Sequence, residues 1–284
     1  MLKVLHPGFF STIQDQGRFG YAHYGVPTSG AMDLYAHQLA NAVLNNNQNA
    51  STIEITSGGA KFEFLKRTQI SITGADFNPK INESSIETNK RITVNAGDVL
   101  SFGKREYGLR TYFAVSNGFD VDTVLGSKSF YKGITAQNVL KKGDEIPFFE
   151  SDEENYEAHA RININSLHFT SPILNCYIGP EFDLLSLKQR KKLLETDFKI
   201  SANNSRMGYF LEETIENNFP AMLSSGVIPG TVQLTPSGKL IVLMRDCQVT
   251  GGYPRVLQLT SQAINQLAQK ITQDTICFKI KTPH

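Results

Sequence analysis

The sequence predicts a mainly β protein with a few short helices, arranged as sandwiches or barrels in two β-rich halves. Three observations lead to this reading. Eight brief segments are rich in Val, Ile, Thr or Phe, the residues that pack well on a pleated surface. Gly, Asp, Asn or Pro interrupts the chain between them, as turn chemistry requires. Only three segments carry an apolar period of helical spacing. At 284 residues the chain also exceeds the roughly 100–200 residues of one ordinary domain.

Residues 31–44 form the first expected helix, with Met32, Tyr35, Ala36, Leu39, Ala40, Val43 and Leu44 on one face. Asp33 is placed in its first turn, where the helix dipole favours a negative charge, and the asparagine run 45–47 ends it. The expected strands are residues 61–64, 69–73, 91–95, 99–102, 111–115, 174–178, 240–244 and 275–280. A second helix is expected over 181–194, with Lys188, Arg190, Lys191 and Lys192 late in it. A third is expected over 260–271, with Thr260 or Ser261 as cap and Ile264, Leu267, Ala268 and Ile271 buried. Gly97-Asp98, Gly143-Asp144 and Gln273-Asp274 each precede a strand. They read either as an internal echo of related barrels or as common turn chemistry. The acidic run 150–160 is the expected linker.

Composition excludes several classes. A net charge of +1 lacks the basic footprint of a nucleic-acid binder. No apolar run approaches the roughly 20 residues that span a bilayer, and the first ten residues do not read as a secretory signal. Cys176, Cys247 and Cys277 are odd in number and widely spaced, which points to a reducing cytoplasm, and Cys247 reads as a buried inert thiol. There is no Walker loop, no HExxH and no GxSxG; the histidines lack metal-ligand spacing, so no metal site is expected. His37 reads as packing or surface.

Four polar and glycine-rich clusters carry the functional signal. In the first, residues 12–20 (TIQDQGRFG), Gln14, Asp15 and Arg18 are candidate ligand-binding groups, because a guanidinium fork suits carboxylate or phosphate. The alternative is a turn in which Asp15 caps backbone amides and pairs with Arg18. In the second, residues 25–33 (GVPTSGAMD), a loop feeds a helix N-terminus; it reads as an anion site or as a capped start with Ser29 as cap. The third, residues 224–238, carries Gln233. The fourth, residues 246–254 (DCQVTGGYP), offers Asp246, Thr250 and Tyr253, with Gly251-Gly252 permitting positive φ and close backbone approach to a ligand. A β-bulge is the alternative there.

The same clusters resemble the biotin-dependent carboxyltransferase family, also called allophanate hydrolase subunit 2. The resemblance rests on Pro7-Gly8, the 12–21 and 25–33 runs, Ile53-Glu54, Gly74-Ala75, residues 110–115, Gly118, Val124-Leu125-Gly126-Ser127, Ser205-Arg206-Met207-Gly208, Ser225-Gly226-Val227, residues 229–233 and 250–254. It is collinear over roughly residues 4–280. It implies two cyclophilin-like β-barrel domains, expected over 1–155 and 156–284 and able to interleave.

The resemblance also implies a function. A free-standing chain of this size, with no biotin carrier and no biotin carboxylase, is expected to be the C subunit of a bacterial ATP-dependent 5-oxoprolinase. Its expected partners are a kinase-inhibitor-like B subunit, a lactam-utilisation-type A subunit, and a small-molecule substrate, with no nucleic acid and no membrane. ATP belongs to the holoenzyme, on this chain, an interface or a partner. The alternatives are a non-catalytic antagonist of a kinase-inhibitor homologue, and a carboxyltransferase component that uses biotin on another chain. Asp15, Asp246 and Arg206 are the expected catalytic groups; Gln14, Arg18, Ser29, Gln233, Thr250, Gly251, Gly252 and Tyr253 are expected to bind substrate or nucleotide. The alternative for both arginines is that they only fasten loops to nearby carboxylates.

Overall fold

A computed structural model describes residues 1–149, 164–217, 219–220 and 222–281. The expected linker, 150–160, lies outside the described residues. All eight expected strands form, and the protein is mainly β with few helices. The chain divides into two compact units. The first comprises Met1–Arg18 and Ser29–Asn165; the second comprises Phe19–Thr28 and Ser166–His284.

In the first unit the strands are hydrogen-bonded as two antiparallel sheets. One runs in the order Glu145–Ile146, Leu2–Pro7, Ala60–Phe64, Val99–Ser101, Lys80–Ile81, Ser84–Ser85. The other runs Phe10–Gln14, Thr52–Thr56, Tyr107–Val115, Thr68–Asp76, Ile92–Val94. Side chains alternate across a strand, and here the alternation separates two environments. Ile13, Ile53, Ile55, Ile70, Ile72 and Phe113 join Val4, Phe62, Phe64 and Leu100 of the first sheet in one apolar core. Phe113 packs edge-on against Phe64 and Phe119. The residues between them, among them Thr52, Glu54, Ser71, Thr73 and Tyr112, lie on the opposite face, against the helix Leu34–Val43. Ser71 and Thr73 donate to the Ala40 and Ala36 carbonyls of that helix at 2.5 and 2.6 Å, so hydroxyls seat it alongside the apolar cluster of Ala36, Ala40, Leu44, Tyr112 and Ala114.

The second unit contains a closed seven-stranded barrel: Ile173–Ile178, Arg255–Leu259, Thr231–Leu234, Lys239–Leu243, Gly208–Thr214, Phe198–Asn204 and Thr275–Ile280. The last strand returns to the first in parallel register, Ile173 opposite Cys277. Closure removes the free edges that an open sheet would present. Leu174, Phe198, Tyr209, Val232, Val242 and Leu257 are fully buried. A separate ribbon pairs Ser225–Gly226 with Thr250–Gly251.

The first two helices differ from expectation at their starts and the third at its end. The first begins at Leu34, not 31, because Asp33 is its N-cap: the carboxylate accepts from the Ala36 N–H at 3.1 Å. Asp33 therefore precedes the first turn, and Ser29 is not the cap. The expected helix 181–194 is broken into a short turn, Phe182–Leu184, and a helix, Leu187–Glu195. Ser186 sets the break through a capping box, its hydroxyl accepting from Gln189 N while Gln189 Oε1 accepts from Ser186 N. The third helix, Ser261–Leu267, has Thr260 as cap, as expected, but ends earlier. The three Asp turns share one geometry. Asp98, Asp144 and Asp274 each accept, through a carboxylate oxygen, the N–H three residues earlier. Gly97, Gly143 and Gln273 beside them have left-handed backbone. Common turn chemistry accounts for the echo.

Candidate functional site

In the first unit, strand Phe10–Gln14 delivers Asp15 into a loop that its carboxylate organises. Oδ1 accepts from Gly17 N at 2.8 Å, Ser127 Oγ at 2.7 Å and Ser129 Oγ at 2.6 Å; Oδ2 accepts from Lys128 N at 2.6 Å. Four bonds match the acceptor capacity of a carboxylate. Arg18, 2% exposed, donates through Nε to the Val124 carbonyl and through Nη2 to the Ser129 carbonyl. Asp15 and Arg18 thus hold the same 124–129 segment from two sides. Gln14 Nε2 bonds to Thr12 Oγ1.

The 29–31 turn rests on this loop. Ala31 N donates to the Asp15 carbonyl at 2.9 Å. Gly30 has φ +88, and a Cβ there would stand 2.8 Å from the Gln16 and Gly17 backbone, so the approach needs glycine. Ser29 is fully buried with φ 57, a left-handed conformation uncommon outside glycine. The Ser29 hydroxyl and Gln14 Oε1 are buried with no hydrogen-bond partner among the described residues. A small polar cavity of about 120 Å³ opens beside Asp15, bounded by Asn49, Ser51, Asn117 and Lys128.

The helix N-terminus that follows does not fit a phosphate. Asp33 caps it, and Glu54 Oε2 accepts the Met32 N–H at 2.8 Å. Two carboxylates already meet the positive end of the dipole, so the expected anion site is a capped start.

Sequence reasoning missed the network behind this helix. Glu54 Oε2 also accepts from Tyr112 Oη at 2.7 Å, and that hydroxyl accepts from Asp33 N at 2.7 Å. Arg110 Nε lies 3.7 Å from Glu54 Oε1, within ion-pair range. Burial, and then the Glu54 charge, push the Tyr112 phenol well above its usual pKa, so it stays a donor. His37 is fully buried against Thr52 Oγ1 at 2.9 Å; burial lowers its pKa to about 4, leaving it neutral near pH 7. The signal was available: a glutamate between two isoleucines in a strand, facing Arg-x-Tyr in its neighbour.

In the second unit Arg206 and Asp246 form a two-pronged pair, Nε to Oδ2 at 2.8 Å and Nη2 to Oδ1 at 3.0 Å. Asp246 N also donates to the Arg206 carbonyl. Asp15 does not pair with Arg18 in this way; each meets the shared segment instead. Gln233, from barrel strand Thr231–Leu234, donates to the Tyr253 carbonyl at 3.2 Å. Thr250 and Tyr253 are exposed. Gly251 and Gly252 do not adopt positive φ, contrary to expectation. At Gly251 a Cβ would stand 2.7 Å from Gln233 Nε2, the end of a side chain that would have to shift. Gly252 has room for a side chain. Arg255, also missed, grips Glu181 at 3.0 and 2.7 Å and reaches the Gly226 carbonyl, tying the ribbon to the barrel. Its hydrogen bonds hold the Glu181 carboxyl below the usual range. Burial raises the Cys247 thiol to about 12, which makes it inert. Among the described residues, no group of His, Cys, Asp and Glu is placed to hold a metal ion, and no helix is long and apolar enough to cross a membrane.

These features coincide with a known family. The family model for the carboxyltransferase domain, subdomain A and B, matches residues 24–280. The C subunit of 5-oxoprolinase from Escherichia coli K12 is 33% identical over 276 residues, covering 95% of this chain and 87% of that protein. Its Haemophilus influenzae counterpart is 29% identical over 98% of this chain and 91% of its own. The urea amidolyase of Lachancea kluyveri is 43% identical, over 51% of this chain and 8% of that protein. Among solved structures, the K. lactis urea amidolyase matches 98% of this chain with a TM-score of 0.84 and 26% identity. This chain spans 18% of that one. TTHA0988 matches 98% of it with a TM-score of 0.86 and 25% identity, and this chain spans 55% of that one. The chain belongs to the carboxyltransferase domain family, subdomains A and B. Its relatives include a subunit of 5-oxoprolinase and, over a small share of its length, a urea amidolyase.

Proposed function

We propose that this chain is the C subunit of a cytoplasmic 5-oxoprolinase, acting with the A and B subunits to open 5-oxoproline to glutamate at the expense of ATP. Coverage is the observation that carries this reading. Similarity to two C subunits runs nearly end to end in both partners, whereas this chain matches only 8% of the L. kluyveri urea amidolyase and 18% of the K. lactis urea amidolyase structure.

The ring amide of 5-oxoproline is a poor electrophile. Transfer of the γ-phosphoryl group of ATP to its oxygen, with release of ADP, makes the ring carbon electrophilic; water adds, the ring C–N bond breaks with the nitrogen protonated to the amine, and a second water hydrolyses the resulting acyl phosphate to glutamate and phosphate. Cationic clamps and fixed dipoles suit that chemistry. In this reading Arg206 supplies a cation in the second unit, oriented directly by Asp246, and Arg18 supplies one in the first unit, linked to Asp15 through Ser129. Ser29 and Gln14 add buried polar atoms of the kind that mark ordered water or a functional site. Gln233, Thr250, Gly251, Gly252 and Tyr253 shape the second cluster. The ATP site belongs to the assembled complex, since this chain has no phosphate loop and its capped helix is unsuited to phosphate.

The high local identity to urea amidolyase favours a second reading, carboxyl transfer from biotin carried on another chain. Partner choice separates the two. Mixed with the 5-oxoprolinase B subunit, this chain should co-elute on gel filtration in about 0.5 M salt, where surface charges are screened within a few ångströms. A net charge of +1 leaves little for purely electrostatic association, and a standard interface buries about 1,200–2,000 Å². Separate elution of two folded proteins would contradict the 5-oxoprolinase reading.

A further inference from the structure

We propose that Glu54 and Tyr112 are positioning residues of the candidate site, holding the turn that sets Ser29 against the Asp15 loop. The assignment rests on the reading of Ser29 and Asp15 as site groups.

Three consecutive amides of this turn are fixed from three different parts of the first unit. Ala31 N donates to the Asp15 carbonyl at 2.9 Å, Met32 N to Glu54 Oε2 at 2.8 Å and Asp33 N to Tyr112 Oη at 2.7 Å. Tyr112 Oη itself donates to Glu54 Oε2 at 2.7 Å, so the last two clamps share one hydrogen-bonded pair. Glu54 and Tyr112 stand directly opposite each other on strands Thr52–Thr56 and Tyr107–Val115, where cross-strand side chains meet on one face of the sheet. Starting the helix asks for less than this. The Asp33 carboxylate already caps Ala36 N, and Ala31 and Met32 precede the N-cap, outside the amides that a helix leaves unpaired.

The turn so clamped carries Ser29. This serine is fully buried in left-handed backbone, φ 57, and its hydroxyl has no hydrogen-bond partner among the described residues. Both features cost stability. Strained backbone persists only where its surroundings over-determine it, and it gathers at functional sites. Here the three amide bonds do so, together with Gly30, whose Cα lies tight against the Gln16–Gly17 backbone. The Ala31 bond to the Asp15 carbonyl also joins the turn to the loop that Asp15 organises. A displacement at Glu54 or Tyr112 therefore reaches both site groups, although neither residue needs to touch substrate.

The test compares wild type, Tyr112→Phe, Glu54→Gln, their double variant and Ser71→Ala, each assembled with the 5-oxoprolinase A and B subunits below the unfolding transition. It reads 5-oxoproline-dependent phosphate release from ATP, and the Tm of each chain. Tyr112→Phe keeps the ring and removes only the hydroxyl. Its kcat should fall at least about tenfold, as a displacement on the order of 1 Å in a site produces. KM should change less than about twofold, the pattern of a contact needed in the transition state. Glu54→Gln should lower kcat as well, and the double variant should lose less than the product of the two single losses, because the pair acts as one unit. Ser71→Ala removes the hydroxyl bond to the Ala40 carbonyl in the same helix; it should lower Tm and leave kcat per folded protein unchanged. Wild-type kcat in Tyr112→Phe or Glu54→Gln, a change in KM alone, independent losses in the double variant, or an equal kcat loss in Ser71→Ala would overturn the assignment. Absence of turnover with the wild-type chain would remove the proposed function, and this assignment with it.

Discussion

Replacing Glu54 by alanine should lower the unfolding free energy by about 3–5 kcal/mol, the cost of breaking a buried ion pair from one side. Glu54 is 1% exposed and Arg110 3% exposed. Without the carboxylate, Arg110 keeps its charge in a dry site, and Tyr112 Oη and the Met32 N–H each lose a short acceptor. Each of these losses carries the desolvation penalty of a stranded polar group. Glu54→Gln preserves shape and one acceptor oxygen, so it should cost less than the alanine variant. Urea denaturation checks this through the midpoint, with the slope unchanged. A Glu54→Ala protein within about 1 kcal/mol of wild type, an ordinary hydrogen bond's worth, would show that the network does not secure the helix that carries Asp33.

Replacing Arg206 by lysine in the assembled enzyme should reduce kcat/KM at least tenfold, about 1.4 kcal/mol of transition-state stabilisation. Lysine keeps the charge but cannot make the paired bonds to both Asp246 oxygens at 2.8 and 3.0 Å. Stability should fall as well, because that pair joins the segments at 206 and 246. The comparison is therefore made per folded protein, below the unfolding transition of the variant. Full activity of the folded fraction would assign Arg206 to loop fastening alone.

Much of the fold was legible because strand alternation and turn residues are local. Ile53 and Ile55 announce a core-facing strand, and Gly97-Asp98 announces the turn before the next one. Helix starts were less legible. Asp33 and Ser186 compete with neighbours that are equally good caps on paper, and the winner depends on tertiary contacts such as the Glu54 bond to Met32 N. The site was legible in its residue types and less so in its bonds. Asp15 was singled out for its setting, yet its four donors come mainly from residues 127–129, more than a hundred positions away. Gly251 has no positive φ; its backbone instead lies against the end of the Gln233 side chain. Arg255 and Glu181 pair across 74 residues, a distance at which spacing carries no signal.

The most direct measurement is 5-oxoproline-dependent phosphate release from ATP by the purified A and B subunits, with and without this chain. Release should require all three proteins, and this chain alone should give none. Turnover by the other two subunits that is indifferent to its addition, or robust turnover by this chain alone, would contradict its assignment as the C subunit.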